Sequence, residues 1–85
     1  MATLTKQEKA WVKKLNKLLA ECPSDRIGFA TIGASDVFMF DLTRYDEISS
    51  KLDRGGWDFM PAAQHIGAKF DEVLKFPANV ESTSG

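Results

Sequence analysis

The segment Arg26–Leu42, "RIGFATIGASDVFMFDL", decides the fold, because its apolar residues follow a different period from those on either side. Residues 26–32 and 37–42 predict two strands. The "GASD" between them contains the Gly, Ser and Asp that are typical of a turn. An antiparallel β-hairpin is therefore expected at the centre of the chain.

The second predicted strand has no polar face. Alternation places Phe38, Phe40 and Leu42 on one side of the strand. Val37 and Met39 then lie on the other side. Because both sides are apolar, both need to be covered by something else.

Upstream of the hairpin, the residues from Thr5 to about Glu21 predict a long helix, because apolar side chains recur at spacings of three, four and seven. This stripe consists of Trp11, Leu15, Leu18, Leu19 and Cys22, with Val12 beside it. Thr5 and Glu8 have the spacing of a capping box, and Pro23 ends the helix. Since Cys22 lies on the stripe, we expect its thiol to be buried as a small hydrophobic group.

Downstream of the hairpin, two shorter helices are predicted. The first runs from Arg44 to Asp53 or Arg54, with Thr43 as its N-cap and a Gly-Gly pair after its end. The second begins at Asp58, and Pro61 is tolerated in its first turn. Its apolar face consists of Phe59, Ala62, Ala63, Ile66 and Phe70.

Residues 68–77 fit either a continuation of the last helix or a third strand. A strand over Val73–Phe76 is favoured, because Pro77 follows at once and a lone hairpin is marginally stable. The order of elements predicts one small α+β domain over residues 1–80, with helices packed on an antiparallel sheet. Residues 81–85, "ESTSG", are expected to form a flexible tail.

Composition narrows the class of protein. The 85 residues are 44% hydrophobic and 27% charged, as in a globular domain. The single cysteine, and the lack of a signal-peptide pattern or a long apolar run, predict a soluble cytoplasmic protein without disulfides. Residues 1–22 carry five lysines against two glutamates, a formal +3, whereas the other residues carry six basic against ten acidic groups, a formal −4.

No catalytic motif is present in the sequence. His65 is the only histidine, and its predicted position beside the apolar face of the last helix is typical of a boundary residue. The glycines match neither a phosphate-binding loop nor a dinucleotide fingerprint, and no calcium-loop motif occurs. We therefore predict a protein that is not an enzyme and that uses no metal or cofactor.

The large apolar side chains predict an interaction surface. Val37, Met39, Trp57 and Met60 are the candidates for binding a protein partner or a second copy of the chain, because aromatic residues and Met are enriched at interface cores. The same side chains also fit a place in the protein's own core. The alternative is a nucleic-acid interface formed by a helix face that carries Lys6, Lys9, Lys13 and Lys17.

The runs "LTKQEKAWVKKLNKLLAECPSDRIGFATIG" and "FPANVESTSG" resemble small uncharacterised proteins encoded by tailed phages and prophages of enteric bacteria. The resemblance covers the first helix, the first strand and the tail. It implies an accessory protein that modulates or inhibits a host or defence protein by binding it, without a catalytic site.

Overall fold

A computed structural model describes residues 1–82, and it confirms the predicted α+β class. The elements in chain order are α1 Lys6–Ala20, β1 Ile27–Thr31, β2 Asp36–Asp41, α2 Tyr45–Asp53, α3 Phe59–His65 and β3 Lys69–Lys75, with a 3-10 turn at Leu42–Arg44. The part of the predicted tail that covers residues 83–85 lies outside the described residues.

The three strands form one antiparallel sheet in the order β1-β2-β3. The predicted hairpin is confirmed, with Gly28 opposite Phe40. Segment 68–77 contains a strand and not a helix: β3 begins at Lys69, earlier than predicted, because Gly67 has φ +76° and ends α3 there. The placement of Phe70 on the face of the last helix was therefore wrong, since it lies in β3.

The core lies between one face of the sheet and the two short helices. Its buried members are Phe40, Ile48, Ala62, Ala63 and Ala68. The ring of Phe59 packs edge-on against Phe40, with the centroids 5.0 Å apart. Three of the five core residues are alanines, two of them in α3, so the core holds few large side chains.

Gly28 is required at the centre of this core face. A Cβ atom built on Gly28 would overlap the Phe40 ring, which lies directly across from it on β2. The absence of a side chain at Gly28 therefore lets Phe40 lie flat against β1 and fill the space under the helices.

The turn into α2 is capped differently from the prediction. Asp41 caps the 3-10 turn, since its carboxylate accepts hydrogen bonds from the Thr43 amide at 3.1 Å and from the Thr43 hydroxyl. The N-cap position of α2 is Arg44 and not Thr43, and its side chain makes no capping bond. The bond from the hydroxyl lowers the pKa of Asp41 below its ordinary value. Arg44 then donates to the Ile66 carbonyl at 2.8 Å and ties the start of α2 to the end of α3.

The α3 start agrees with the sequence interpretation in position. Asp58 occupies the N-cap with an extended backbone, although its side chain makes no capping hydrogen bond. Pro61 lies in the first turn, where a missing amide proton costs no intrahelical bond.

Helix α1 has the predicted cap but no tertiary cover. Thr5 accepts from the Glu8 amide at 3.1 Å, and Glu8 accepts from the Thr5 amide at 2.8 Å, so the capping box is confirmed. No residue of α1 is buried, however, and the expectation that Cys22 is buried was wrong because its thiol is exposed. The sequence analysis expects the helices to pack on the sheet, but α1 has no residue buried against it.

The exposed helix gives the chain an elongated shape. Its principal extents are 48 × 29 × 21 Å. Its radius of gyration is 15.5 Å, whereas a compact chain of this length has about 12 Å. Within residues 1–82, no helix has both the length and the apolar character that crossing a bilayer requires.

Candidate protein-interaction surface

The first part of the candidate surface is the apolar face of α1, here called the α1 stripe and defined by Trp11, Leu15, Leu18 and Leu19. Trp11 is 56% exposed, Leu18 66% and Leu19 51%. An isolated helix of 15 residues is only marginally stable in water, and most helices gain their stability by burying an apolar face. Leu15 is half-buried, whereas the three exposed side chains of the α1 stripe lack a covering surface in the described chain.

The second part is a groove of about 1100 Å³ between the sheet and the start of α3, here called the sheet groove. Its floor and walls are formed by Ala30, Phe38, Phe40, Phe59 and Pro61. At its rim, Ile32 is 66% exposed and Tyr45 is 48% exposed. The groove is thus an open, mainly apolar surface with several aromatic rings that continues from the core.

Among residues 1–82, only two charged side chains line the sheet groove. These are Asp58 at the start of α3 and Lys69 at the start of β3. The Lys69 ammonium lies 5.3 Å from the centre of the Phe38 ring, where the ring's negative face attracts it. A mainly apolar partner therefore leaves few charges without solvent when it enters the groove.

The four interaction residues predicted from the sequence do not form one surface. Val37 and Met60 are each only 8% exposed, so the protein itself covers them. Met39 is half-buried on the sheet face opposite Phe40, and Trp57 is 37% exposed in the connection between α2 and α3. Of the four, only Met60 lines the sheet groove, and Met39 and Trp57 are the two with appreciable exposed area.

Trp57 makes contacts that explain its position within the domain. The Lys51 ammonium lies 4.6 Å from the centre of its ring, and the His65 ring centroid is 4.8 Å from that of Trp57. The indole thus joins the last turn of α2 to the last residue of α3. The only histidine of the chain is part of this surface cluster.

The lysine face of α1 lies opposite the α1 stripe. Lys6, Lys9, Lys13 and Lys17 are all exposed and lie within about 80° of arc on the helix. Among residues 1–82, none of these four lysines forms an ion pair. The two long faces of α1 therefore present an apolar and a basic surface to solvent.

A smaller groove of about 280 Å³ lies on the other sheet face, beside Met39 and Phe70. The Arg26 guanidinium covers one side of it, 5.0 Å from the centre of the Phe70 ring. Among residues 1–82, no cluster of three His, Cys, Asp or Glu side chains has the geometry to hold a metal ion.

Sequence reasoning missed the sheet groove and the exposure of α1. One signal pointed to both: a stripe on a long helix and two apolar faces on β2 contain more large hydrophobic side chains than a three-stranded sheet with two short helices can cover.

Comparison with protein-family models, with curated proteins and with solved structures found no match to this chain.

Proposed function

We propose that this protein is a non-enzymatic interaction domain that acts by binding protein through the α1 stripe and the sheet groove. The observation that carries the proposal is the exposure of Trp11, Leu18 and Leu19 on a helix with no buried residue. Large apolar side chains exposed together mark protein-binding surfaces, because water around them is released when a partner covers them.

The resemblance to small phage and prophage proteins supports a finer proposal. The protein modulates or inhibits a protein of the bacterial host, or of its defence against phages, by occupying that protein's surface. Such a role requires an interaction surface and no catalytic group, and the exposed apolar surface of this chain suits it.

Affinity capture from a lysate of an enteric bacterium, followed by mass spectrometry and light scattering, tests the proposal. The unmodified protein is compared with Leu18→Asp, which places a charge in the α1 stripe, and with Lys13→Gln on the opposite face of the same helix. We expect a specific protein, either from the host or a second copy of the chain, to be lost with Leu18→Asp and kept with Lys13→Gln. A monomer that captures no protein overturns the proposal.

A second candidate function is nucleic-acid binding through the lysine face of α1. The observation in its favour is that the four lysines are exposed and form no ion pair within the described residues. Replacing Lys6, Lys13 and Lys17 with Gln is then expected to lower affinity and to flatten its salt dependence, because fewer counterions are released. If the unmodified protein retards neither duplex nor single-stranded nucleic acid at low salt, this function is excluded.

A further inference from the structure

The chain exposes more surface than a compact protein of its size. Its accessible surface is 6820 Å² for a mass of 9.4 kDa, whereas a compact monomer of that mass exposes about 5,000 Å². The excess, on the order of 1,800 Å², arises in a molecule whose longest helix has no buried residue. Stable interfaces bury about 1,200–2,000 Å² over both partners. If each of two copies buried half of its excess surface, the interface would bury about 1,800 Å² in total, which lies within this range.

The α1 stripe and the sheet groove are complementary in kind. The stripe is a convex row of Trp and Leu side chains, about 12 Å long from Trp11 to Leu19. The groove is concave, mainly apolar and open at its rim. A helix laid on it would join α2 and α3 in the layer that covers the sheet, so that Phe38 would be covered as Phe40 already is.

Within one chain the two surfaces are separate. No residue of α1 lines the sheet groove of its own chain, and residues 21–26 form the connection from α1 to β1. Two copies related by a twofold axis remove this difficulty, because each helix then enters the groove of the other copy and both stripes are covered at once.

Charge favours this arrangement over pairing of the two helices with each other. Residues 1–22 carry a formal +3 and the other residues a formal −4. A helix that docks on the body of a second copy lies beside a segment of opposite net charge, with its lysine face turned away from the groove, whereas two α1 helices side by side would bring +3 against +3. Net charge therefore disfavours the approach of two α1 helices and favours the approach of α1 to the acidic remainder of a second copy.

We infer that the occupant of the sheet groove is helix α1 of a second copy, so that the protein is a dimer with reciprocally exchanged N-terminal helices. The inference rests on the proposed function, since it takes the exposed apolar surface to be a protein-binding surface. It adds the identity of the partner and the contact that each element makes.

Light scattering and sedimentation over a wide range of concentrations test the inference. The unmodified protein is expected at twice the 9.4 kDa of one chain. Leu18→Asp in the stripe and Ile32→Asp at the groove rim, each at a side chain 66% exposed in one copy, are expected to weaken the dimer roughly thirtyfold or more. Leu42→Asp is the matched control, because Leu42 is 43% exposed but lies outside both surfaces.

An equal mixture of the Leu18→Asp and Ile32→Asp proteins tests reciprocity. The first has an intact groove and the second an intact helix, so the mixture retains one of the two contacts and is expected to form mixed dimers that neither protein forms alone. If Ile32→Asp fails to fold, as judged by circular dichroism, Gln64→Lys on the exposed side of α3 replaces it as the groove variant.

Three results would overturn the inference: a monomeric unmodified protein, a dimer that only the stripe variant dissociates, or a mixture that remains monomeric. A monomer that still captures a host protein through Leu18 removes the exchanged dimer but leaves the proposed function standing. A monomer that captures nothing removes both.

Discussion

Helix α1 and the unit formed by the sheet with α2 and α3 show two different relations between local structure and packing. In α1 every local signal agrees, from the capping box to the apolar period, yet no side chain is buried. In the sheet unit the elements are short, with five residues in β1 and seven in α3, but Ile48, Ala62 and Ala63 have no exposed area. Good local signals therefore specify an element, whereas burial depends on what the rest of the molecule offers.

The largest expected difference between the two regions comes from truncating one aliphatic side chain in each. Ile48→Ala removes a side chain with no exposure and is expected to cost about 2–5 kcal/mol, because it leaves a cavity in a small core. Leu19→Ala in α1 is expected to cost less than about 0.5 kcal/mol in dilute monomer. Urea unfolding of both proteins measures the difference, and an equal loss would show that α1 is covered within one chain.

A second test concerns the sheet unit, where the Phe40 ring packs directly on Gly28. Gly28→Ala is expected to destabilise the protein by about 1–3 kcal/mol, since the new methyl group overlaps the Phe40 ring. In a Phe40→Leu background the same substitution should cost less, because the ring is absent. Equal costs in both backgrounds, measured by denaturant titration, would contradict the contact.

The capping box tests whether α1 is held by local interactions. Thr5→Ala is expected to destabilise the helix by about 1 kcal/mol, because the Glu8 amide loses its acceptor. Hydrogen exchange should be faster at the α1 amides and unchanged in β2. Thr3→Ala, outside the box, is the control, and faster exchange throughout the chain would mean that α1 unfolds together with the sheet.

The smallest expected effect concerns the turn into α2 and depends on pH. The pKa of Asp41 is lowered by the Thr43 hydroxyl, so the ionised carboxylate stabilises the fold above its ordinary pKa of about 3.9. This contribution is lost as the pH falls through the lower folded-state value. Thr43→Val should therefore have a lower free energy of unfolding than the unmodified protein at neutral pH, and the difference between the two proteins should become smaller in acid. A difference in the free energy of unfolding that stays constant from neutral to acidic pH, measured by denaturant titration, would show that it does not come from the bond between Thr43 and the ionised Asp41.

The positions of most elements could be predicted from the sequence, since period and end signals are local. The hairpin followed from alternation and from "GASD", and the end of α2 from the Gly55 and Gly56 pair. The start of β3 was missed because residues 68–72 have no decisive period. In the fold, Ala68 accepts a hydrogen bond from the Asp41 amide at 2.7 Å, a long-range contact that starts the pairing with β2.

The candidate surface was less predictable than the fold. Trp57 and Met60 are close in sequence and similar in chemistry, but the structure buries Met60 beside the groove and places Trp57 against Lys51 and His65. Burial of one and partial exposure of the other depend on which element passes nearby. A pattern along the chain carries no information about that neighbour.

The sequence by itself determined that α1 is a capped amphipathic helix, that residues 26–42 form a hairpin and that Gly55 and Gly56 end α2, because each of these depends on neighbours within a few residues. Only the tertiary structure decided which apolar faces are covered. The small side chains of Ala62 and Ala63 let α3 close over Phe40, and Phe38 beside it remains open in the sheet groove. An amphipathic pattern shows that a face is stabilised by burial, but the surface that buries it is formed by tertiary contacts between segments that are distant in sequence.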